Sequence, residues 1–240
     1  MITVIKEFLT RNQLDGSAKR VQVLFRKLYR NAVGMDRRLV KRYLVQHEIA
    51  KLHIGCGDRI LNGWLNTDYS PTSNDIVLLD ATGLYPFKNK TFDYVFSEHM
   101  IEHVSHANGR MMLRECFRVL KHGGKIRLTT PDLLFLCSLY KDNKSELQHE
   151  YIKWAAALFL DEGNAVDTFV INYFVRNWGH QFIYDEKVLR HSMEGAGFQN
   201  IVRCDLNESE SIESRNLENV ERMPPGFLKL ESITLEGTKM

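Results

Sequence analysis

The sequence predicts an α/β protein, a mostly parallel sheet wrapped by crossover helices, and three observations carry that expectation. Beyond residue 50, short apolar runs alternate with longer stretches of helical period, the texture of strand–helix–strand units. The run Lys51-Leu-His-Ile-Gly-Cys-Gly57 reads as an apolar strand entering a Gly-x-Gly turn. Two acids, Asp68 and Asp80, stand at the ends of the next two strand candidates.

The elements follow in order. Ala18 to about Glu48 is proline-free, with Val21, Leu24, Leu28, Leu39, Tyr43 and Leu44 near helical spacing, so residues 1–48 are expected to form a helical N-terminal arm. Strands are expected at Lys51–Gly55, Leu65–Asp68, Asp75–Asp80, Phe92–Ser97 and Gly124–Thr129. A helix is expected over Ala107–Lys121, with Met112, Leu113, Cys116, Phe117 and Leu120 on one face and Gly123-Gly124 as its stop. Asp185 is placed to cap a helix running to about Glu194, ended by Gly195-Ala-Gly197. Two further strands are expected near Gln199–Cys204 and Leu228–Thr238. Residues 139–178 break the alternation. They are helix-like and carry Tyr140, Tyr151, Trp154, Phe159, Phe169, Tyr173, Phe174 and Trp178. An aromatic insertion at the C-terminal edge of the sheet is expected to serve as a lid on a substrate pocket.

Composition narrows the class. The 240 residues are 44% hydrophobic and 26% charged, which excludes a disordered or collagen-like chain. No apolar run approaches the 18 or so residues of a membrane span, and the charges in MITVIKEFLTRNQ interrupt any signal peptide. A cytoplasmic location is therefore expected. Cys56, Cys116, Cys137 and Cys204 form no CxxC pair, so reduced thiols are expected rather than a zinc knuckle or disulfide framework. Residues 1–51 hold 12 Lys and Arg against 4 Asp and Glu, while the remainder holds 20 against 26. Arg26, Lys27, Arg30, Arg37, Arg38, Lys41 and Arg42 in the arm suit either an anionic partner, nucleic acid included, or a solvated face.

The glycine turn points to a ligand. Glycines there let the backbone pass close to a nucleoside, because a Cβ would fill the ligand's space. The GxGxxG dinucleotide pattern fails at Ile60, and the acid at the end of the next strand candidate, Asp68, arrives only 11 residues after Gly57. That argues against a nicotinamide oxidoreductase. Two acids on successive strand ends suit a nucleoside without a pyrophosphate, one carboxylate accepting both ribose hydroxyls and the next lying near the adenine amine.

These motifs are joined by others in fixed order: Leu52-His-Ile-Gly-Cys-Gly, Gly63-Trp-Leu-Asn-Thr-Asp68, Leu79-Asp80, Phe92-Asp-Tyr-Val-Phe-Ser-Glu-His99, Glu102-His103, Arg118-Val-Leu-Lys-His-Gly-Gly124 and Thr130-Pro-Asp132. Over residues 49–135 the chain resembles the class I S-adenosylmethionine-dependent methyltransferases, and Gly179-His-Gln-Phe and Glu194-Gly-Ala-Gly-Phe198 extend the likeness. The resemblance implies a Rossmann-like fold over 49–240, seven strands with the last antiparallel, and S-adenosylmethionine as cofactor. It also implies a cofactor site around His53, Gly55, Cys56, Gly57, Asp68, Asp80, Ala81, Ser97 and Glu98. Gly55 and Gly57 would approach the amino-acid part, Asp68 the ribose, and Asp80 with Ala81 the adenine. Ser97, Glu98 and His99 would face the sulfonium and the acceptor. The sequence departs from the family pattern at His53, where many members carry an acid, and at Arg59, in place of a third glycine. Only 13 residues separate Gly55 from Asp68, room for a short helical turn at most.

Methyl transfer needs alignment of acceptor, methyl and sulfur, and for a hydroxyl acceptor a base. His99 is the first candidate base because imidazole titrates near neutrality, with Asp132 and His180 behind it. The acceptor is expected to be a hydroxyl of a small molecule or sugar, since no nucleic-acid module is recognisable. Two alternatives remain at this level. One is a non-catalytic S-adenosylmethionine-binding protein. The other is a zinc hydrolase using the HxxEH pattern of His99-Met-Ile-Glu-His103; otherwise no metal is expected.

Overall fold

A computed structural model describes residues 28–30, 32–159 and 165–240, together with Val21. Helix α1 (Met35–Gln46) leads into β1 (Lys51–Ile54), β2 (Leu65–Asp68), β3 (Val77–Leu78) and β4 (Phe92–Glu98). Helix α2 (His106–Val119) connects β4 to β5 (Leu120–Pro131). Four helices follow, α3 (Leu133–Leu139), α4 (Glu146–Phe159), α5 (Asp167–Arg176) and α6 (Glu186–Ala196). The chain closes with β6 (Phe198–Cys204), the short α7 (Phe227–Glu231) and β7 (Ser232–Lys239).

The seven strands form one sheet in the order β3-β2-β1-β4-β5-β7-β6. Neighbours from β3 to β5 are parallel, and β7 is antiparallel to both β5 and β6. The sheet is therefore mostly parallel, as expected. The chain departs from β1 both ways, to β2 and, later, to β4, and a reversal of strand order of this kind opens a crevice at the C-terminal strand ends.

Local chemistry explains the boundaries. Ser105 caps α2 by accepting from Asn108 N, and Asp185 caps α6 by accepting from Val188 N. Gly197, at φ 108°, ends α6 in the left-handed conformation. Three expectations are corrected. Helix α2 stops at Val119 without a glycine, and Gly123-Gly124 lie inside β5, where the register against β4 shifts. The strand expected at Asp75–Asp80 pairs only over Val77–Leu78. Residues 227–231 are helix rather than strand, because Phe227 and Leu228 turn inward together with Glu231, four and three positions on, as on one helix face.

The two sheet faces are covered differently. Leu52, Ile54, Val95, Ile126 and Leu128 pack with Met112, Leu113, Cys116, Leu189 and Met193 of α2 and α6 into the main core. On the other face no helix lies between β1 and β2. The connection is a loop that Asn66 organises, accepting from Leu61 N and donating to Leu61 O and Trp64 O. Trp64, Phe96 and Leu217 form a small cluster beside it.

The rest of that face is closed by the segment between β6 and α7, held by buried charge. Arg127 is 1% exposed, and its guanidinium donates to Glu218, to its cross-strand neighbour Glu236 and to the carbonyls of Asp205 and Glu208. Glu218 also accepts from Thr129 Oγ1 and Asn207 N. Burial alone lowers the guanidinium pKa, but the two carboxylates outweigh it and raise it.

Helix α1 packs on the opposite edge of the sheet through Tyr43, whose hydroxyl accepts from Lys51 N and bonds to the carbonyls of Lys51 and Gly63. Arg30 is buried and pairs with Asp36 while donating to Ile76 O. It is thus internal, unlike the exposed Arg37, Arg38, Lys41 and Arg42; Arg26 and Lys27 lie outside the described residues. No helix among the described residues is long and apolar enough to cross a membrane.

Removing one partner of a buried ion pair leaves an uncompensated charge, a loss of about 3–5 kcal/mol. Glu218→Ala is expected to lower the free energy of unfolding in urea by about that amount. A loss below about 1 kcal/mol would show that the segment is held otherwise.

Candidate active site

Because β1 to β5 run parallel, their C-terminal ends bring Gly55-Cys56-Gly57, Asp68, Asp80, Ser97-Glu98-His99 and Pro131-Asp132 to one edge. Gly55 and Gly57 sit at φ 71° and 54°, conformations that cost other residues energy. The N–H groups of Gly55 and Cys56 both donate to Thr67 O. Gly57 N donates to Asp68 Oδ2 at 2.9 Å, and Ser70 N to Asp68 Oδ1 at 2.7 Å. Each carboxylate oxygen keeps a further lone pair for a ligand hydroxyl. A Cβ on Gly57 would meet nothing within 4 Å, so the turn opens on free space, whereas one on Gly55 would collide with Met100 Cγ at 2.4 Å.

The remaining cofactor candidates divide. Asp80 Oδ1 accepts from the backbone and hydroxyl of Thr82, and Ala81 is half-buried against the main core. Ser97 Oγ is buried without a hydrogen-bond partner, an orphan at the end of β4 that a ligand would satisfy. Three side chains are otherwise engaged. His53 is buried on β1, hydrogen-bonded through Nδ1 to Asn66 and packed on Phe96, and burial pushes its pKa down to about 4. The Cys56 thiol is buried, which pushes it up to about 12. Glu98 is paired with Arg59 at 2.8 Å and accepts from Asn219 N. Arg59, which also donates to Leu217 O, thereby ties the first crossover to the end of β4.

The second half of the edge is a cavity of about 440 Å³ between the strand ends and α4, α5 and the 220–231 segment. Tyr151, Trp154, Phe159, Phe174 and Trp178 wall it, and His99, Glu102, His103, His180, Arg222 and Glu231 supply its polar groups. His99 lies at φ 47°, a strained conformation for a non-glycine residue and one that clusters at functional sites. Its Nε2 is 3.0 Å from Ser232 Oγ. Its Nδ1 is 3.3 Å from Glu102 Oε1, within ion-pair reach but off the line of a hydrogen bond. Glu102 is fully buried. Burial alone raises its pKa, but His99 and His103 outweigh that and lower it. Glu231 is also buried, which raises its pKa, and accepts from Tyr151 OH at 2.6 Å.

Of the candidate bases, His99 and His180 line this cavity and Asp132 does not. Asp132 caps α3 by accepting from Leu134 N, a structural task that the Thr-Pro-Asp motif did not reveal. His180 Nδ1 is 2.7 Å from Phe174 O, and burial lowers its pKa. The HxxEH pattern is not on an α-helix. His99 follows β4 directly, and Ile101–His103 is a single 3-10 turn. The two histidines thus lack the one-face spacing that a zinc peptidase requires. Glu231 and Ser232 escaped the sequence reading because their segment read as a plain strand.

Residues 52–128 match the family model of a methyltransferase domain. No curated protein matches the chain significantly. Among solved structures, the chain is similar to an S-adenosylmethionine-dependent methyltransferase of Archaeoglobus fulgidus (15% identity, TM-score 0.48, covering 88% of this chain and 94% of that one). It is also similar to one of Thermotoga maritima (18%, 0.45, 92% and 99%). A third is phosphoethanolamine N-methyltransferase 2 of Haemonchus contortus in complex with S-adenosyl-L-methionine (15%, 0.40, 86% and 52%). The chain thus carries a methyltransferase domain over residues 52–128, set in this seven-stranded sheet, and S-adenosylmethionine is its cofactor.

Proposed function

We propose that the methyl acceptor is a hydroxyl of a small molecule or sugar held in the cavity beside His99. The observation that carries this reading is the cavity itself, enclosed by five aromatic side chains and opening beside the strained end of β4. A pocket of that size and lining suits a small ligand better than a polymer. No described element forms a recognisable nucleic-acid module, and two of the exposed basic residues of α1 are engaged locally, Arg42 with Asp75 and Arg38 with Val33 O.

The cofactor supplies an electrophilic methyl group on a sulfonium. In this proposal the Gly55–Gly57 turn lies along its amino-acid part, Asp68 accepts from the ribose hydroxyls, Asp80 and Ala81 border the adenine, and Ser97 Oγ meets the cofactor at the end of β4. His53, Cys56 and Glu98 act through the fold, holding the first crossover loop in place. His99 takes the acceptor's proton at Nε2. Glu102, beside Nδ1, orients the ring and stabilises its cationic form, the role an acid plays behind a catalytic histidine.

The same reading divides the chain into an arm, 1–48, and a catalytic domain, 49–240, with 139–178 as the wall and lid of the acceptor cavity. A cytoplasmic setting completes it, and the four free cysteines fit a reducing compartment.

Calorimetric titration with S-adenosylmethionine and S-adenosylhomocysteine tests the cofactor half. Micromolar binding is expected, weakened about tenfold or more by Asp68→Ala, since a charged hydrogen bond contributes about 1.5–3 kcal/mol. Undiminished affinity would place the ribose elsewhere. With an acceptor found by screening sugars and small alcohols or phenols, His99→Ala is expected to lower kcat by about 10²–10⁴ while cofactor affinity stays within about twofold. Unchanged turnover would remove His99 from the mechanism. Trp154→Ala is expected to raise KM for the acceptor and leave cofactor affinity unchanged; the reverse pattern would place the acceptor outside the cavity.

A further inference from the structure

Three donors of the acceptor cavity converge on one point. Glu102, His103 and His180 each present one ligand atom, and these atoms lie within 4.8 Å of one another. They come from segments far apart in sequence that are stapled together. Gln181 N and Phe182 N both donate to Glu102 O, and Gln181 Nε2 donates to His103 O. The two imidazole rings meet edge to face at 5.0 Å.

Two features suggest a missing partner. Glu102 is 0% exposed, yet its Oε1 has no hydrogen-bond donor, while Oε2 accepts from Thr130 Oγ1 at 3.1 Å. His99 Nδ1 stands 3.3 Å from Oε1 but off the line of a hydrogen bond; a buried carboxylate oxygen without a donor is costly, and a cation bound beside it removes the cost. His180 Nδ1 is held by Phe174 O at 2.7 Å. A carbonyl only accepts, so Nδ1 carries the proton and Nε2 is left with its lone pair. Metal-binding histidines are commonly oriented by such a bond.

We infer that Glu102, His103 and His180 bind a divalent transition-metal ion of the zinc class at the floor of the acceptor cavity. Two imidazoles and one carboxylate suit zinc, cobalt or iron(II) rather than magnesium or calcium, which prefer oxygen throughout. Three protein ligands leave a position open toward the cavity. In a tetrahedral site with bonds of about 2.0–2.1 Å the donors stand about 3.4 Å apart, so binding would draw them together from their present spacing of up to 4.8 Å. His99 is not in this set, which differs from the HxxEH arrangement in its second histidine. The open position would take an oxygen of the acceptor; that role rests on the proposed function, whereas binding of the ion does not.

The test is titration of the chelator-treated full-length protein with Co²⁺, followed by visible ligand-field absorption and reversed by added Zn²⁺. One ion per chain is expected. His103→Ala and His180→Ala are each expected to weaken Co²⁺ binding at least about 100-fold, because loss of a supporting residue alone costs about 10–100-fold. His149→Ala, an exposed histidine of α4, is expected to leave it unchanged. The thermal midpoint of each metal-free variant establishes that it is folded, and since both histidines are half-buried, either variant keeps the test usable if the other does not fold. No absorption in the parent protein, or equal Co²⁺ affinity in both variants, would overturn the inference. S-adenosylhomocysteine affinity measured on the same samples reports separately on the methyltransferase site. Cofactor binding without Co²⁺ binding would sink only the metal inference.

Discussion

The guanidinium of Arg127 is the constraint on which the second face of this sheet depends. A charge at that depth is stable only if every N–H is answered, and the answers come from β7, from Glu218 and from two carbonyls of the long β6–α7 connection. A segment with little regular structure is thereby fixed over the face on which no helix connects β1 to β2. Once in place, it carries Leu217 against Phe96 and Trp64 and puts Asn219 N on Glu98. Packing alone would not specify this arrangement, since the cluster on that face is small beside the main core.

From that point the order propagates to the site. Glu98 is held by Arg59 and Asn219, so the end of β4 is rigid where the chain turns into the left-handed His99. The following 3-10 turn, fastened by Gln181 and Phe182, sets Glu102 beneath the His99 ring. The proposed cofactor and acceptor sides therefore share one junction.

Much of this was legible from residue order. The apolar run before Gly55, the acids at Asp68 and Asp80, and the cap pair of Asp185 and Gly197 each act locally, so a short window contains the cause and the result. Other features depend on partners far along the chain. Glu98 reads as a free acid at a strand end until Arg59, 39 residues earlier, occupies it. Asp132 reads as a base within a conspicuous motif, yet its carboxylate is used to start α3. Residues 227–231 satisfy both a strand and a helix pattern, and only packing beneath Tyr151 and Trp154 decides between them. The convergence of His180 on Glu102 and His103 depends on a loop about 80 residues away, and no spacing rule reaches that far.

The position of β4 at the middle of the sheet has an evolutionary consequence. Everything proposed to hold the cofactor precedes His99, and nearly every wall of the cavity follows it. A recombination event within residues 133–185 would exchange the aromatic wall while leaving the glycine turn and its acids intact. The architecture is thus modular along the chain as well as in space, and a lineage built on it is free to change its acceptor without rebuilding its methyl-donor site.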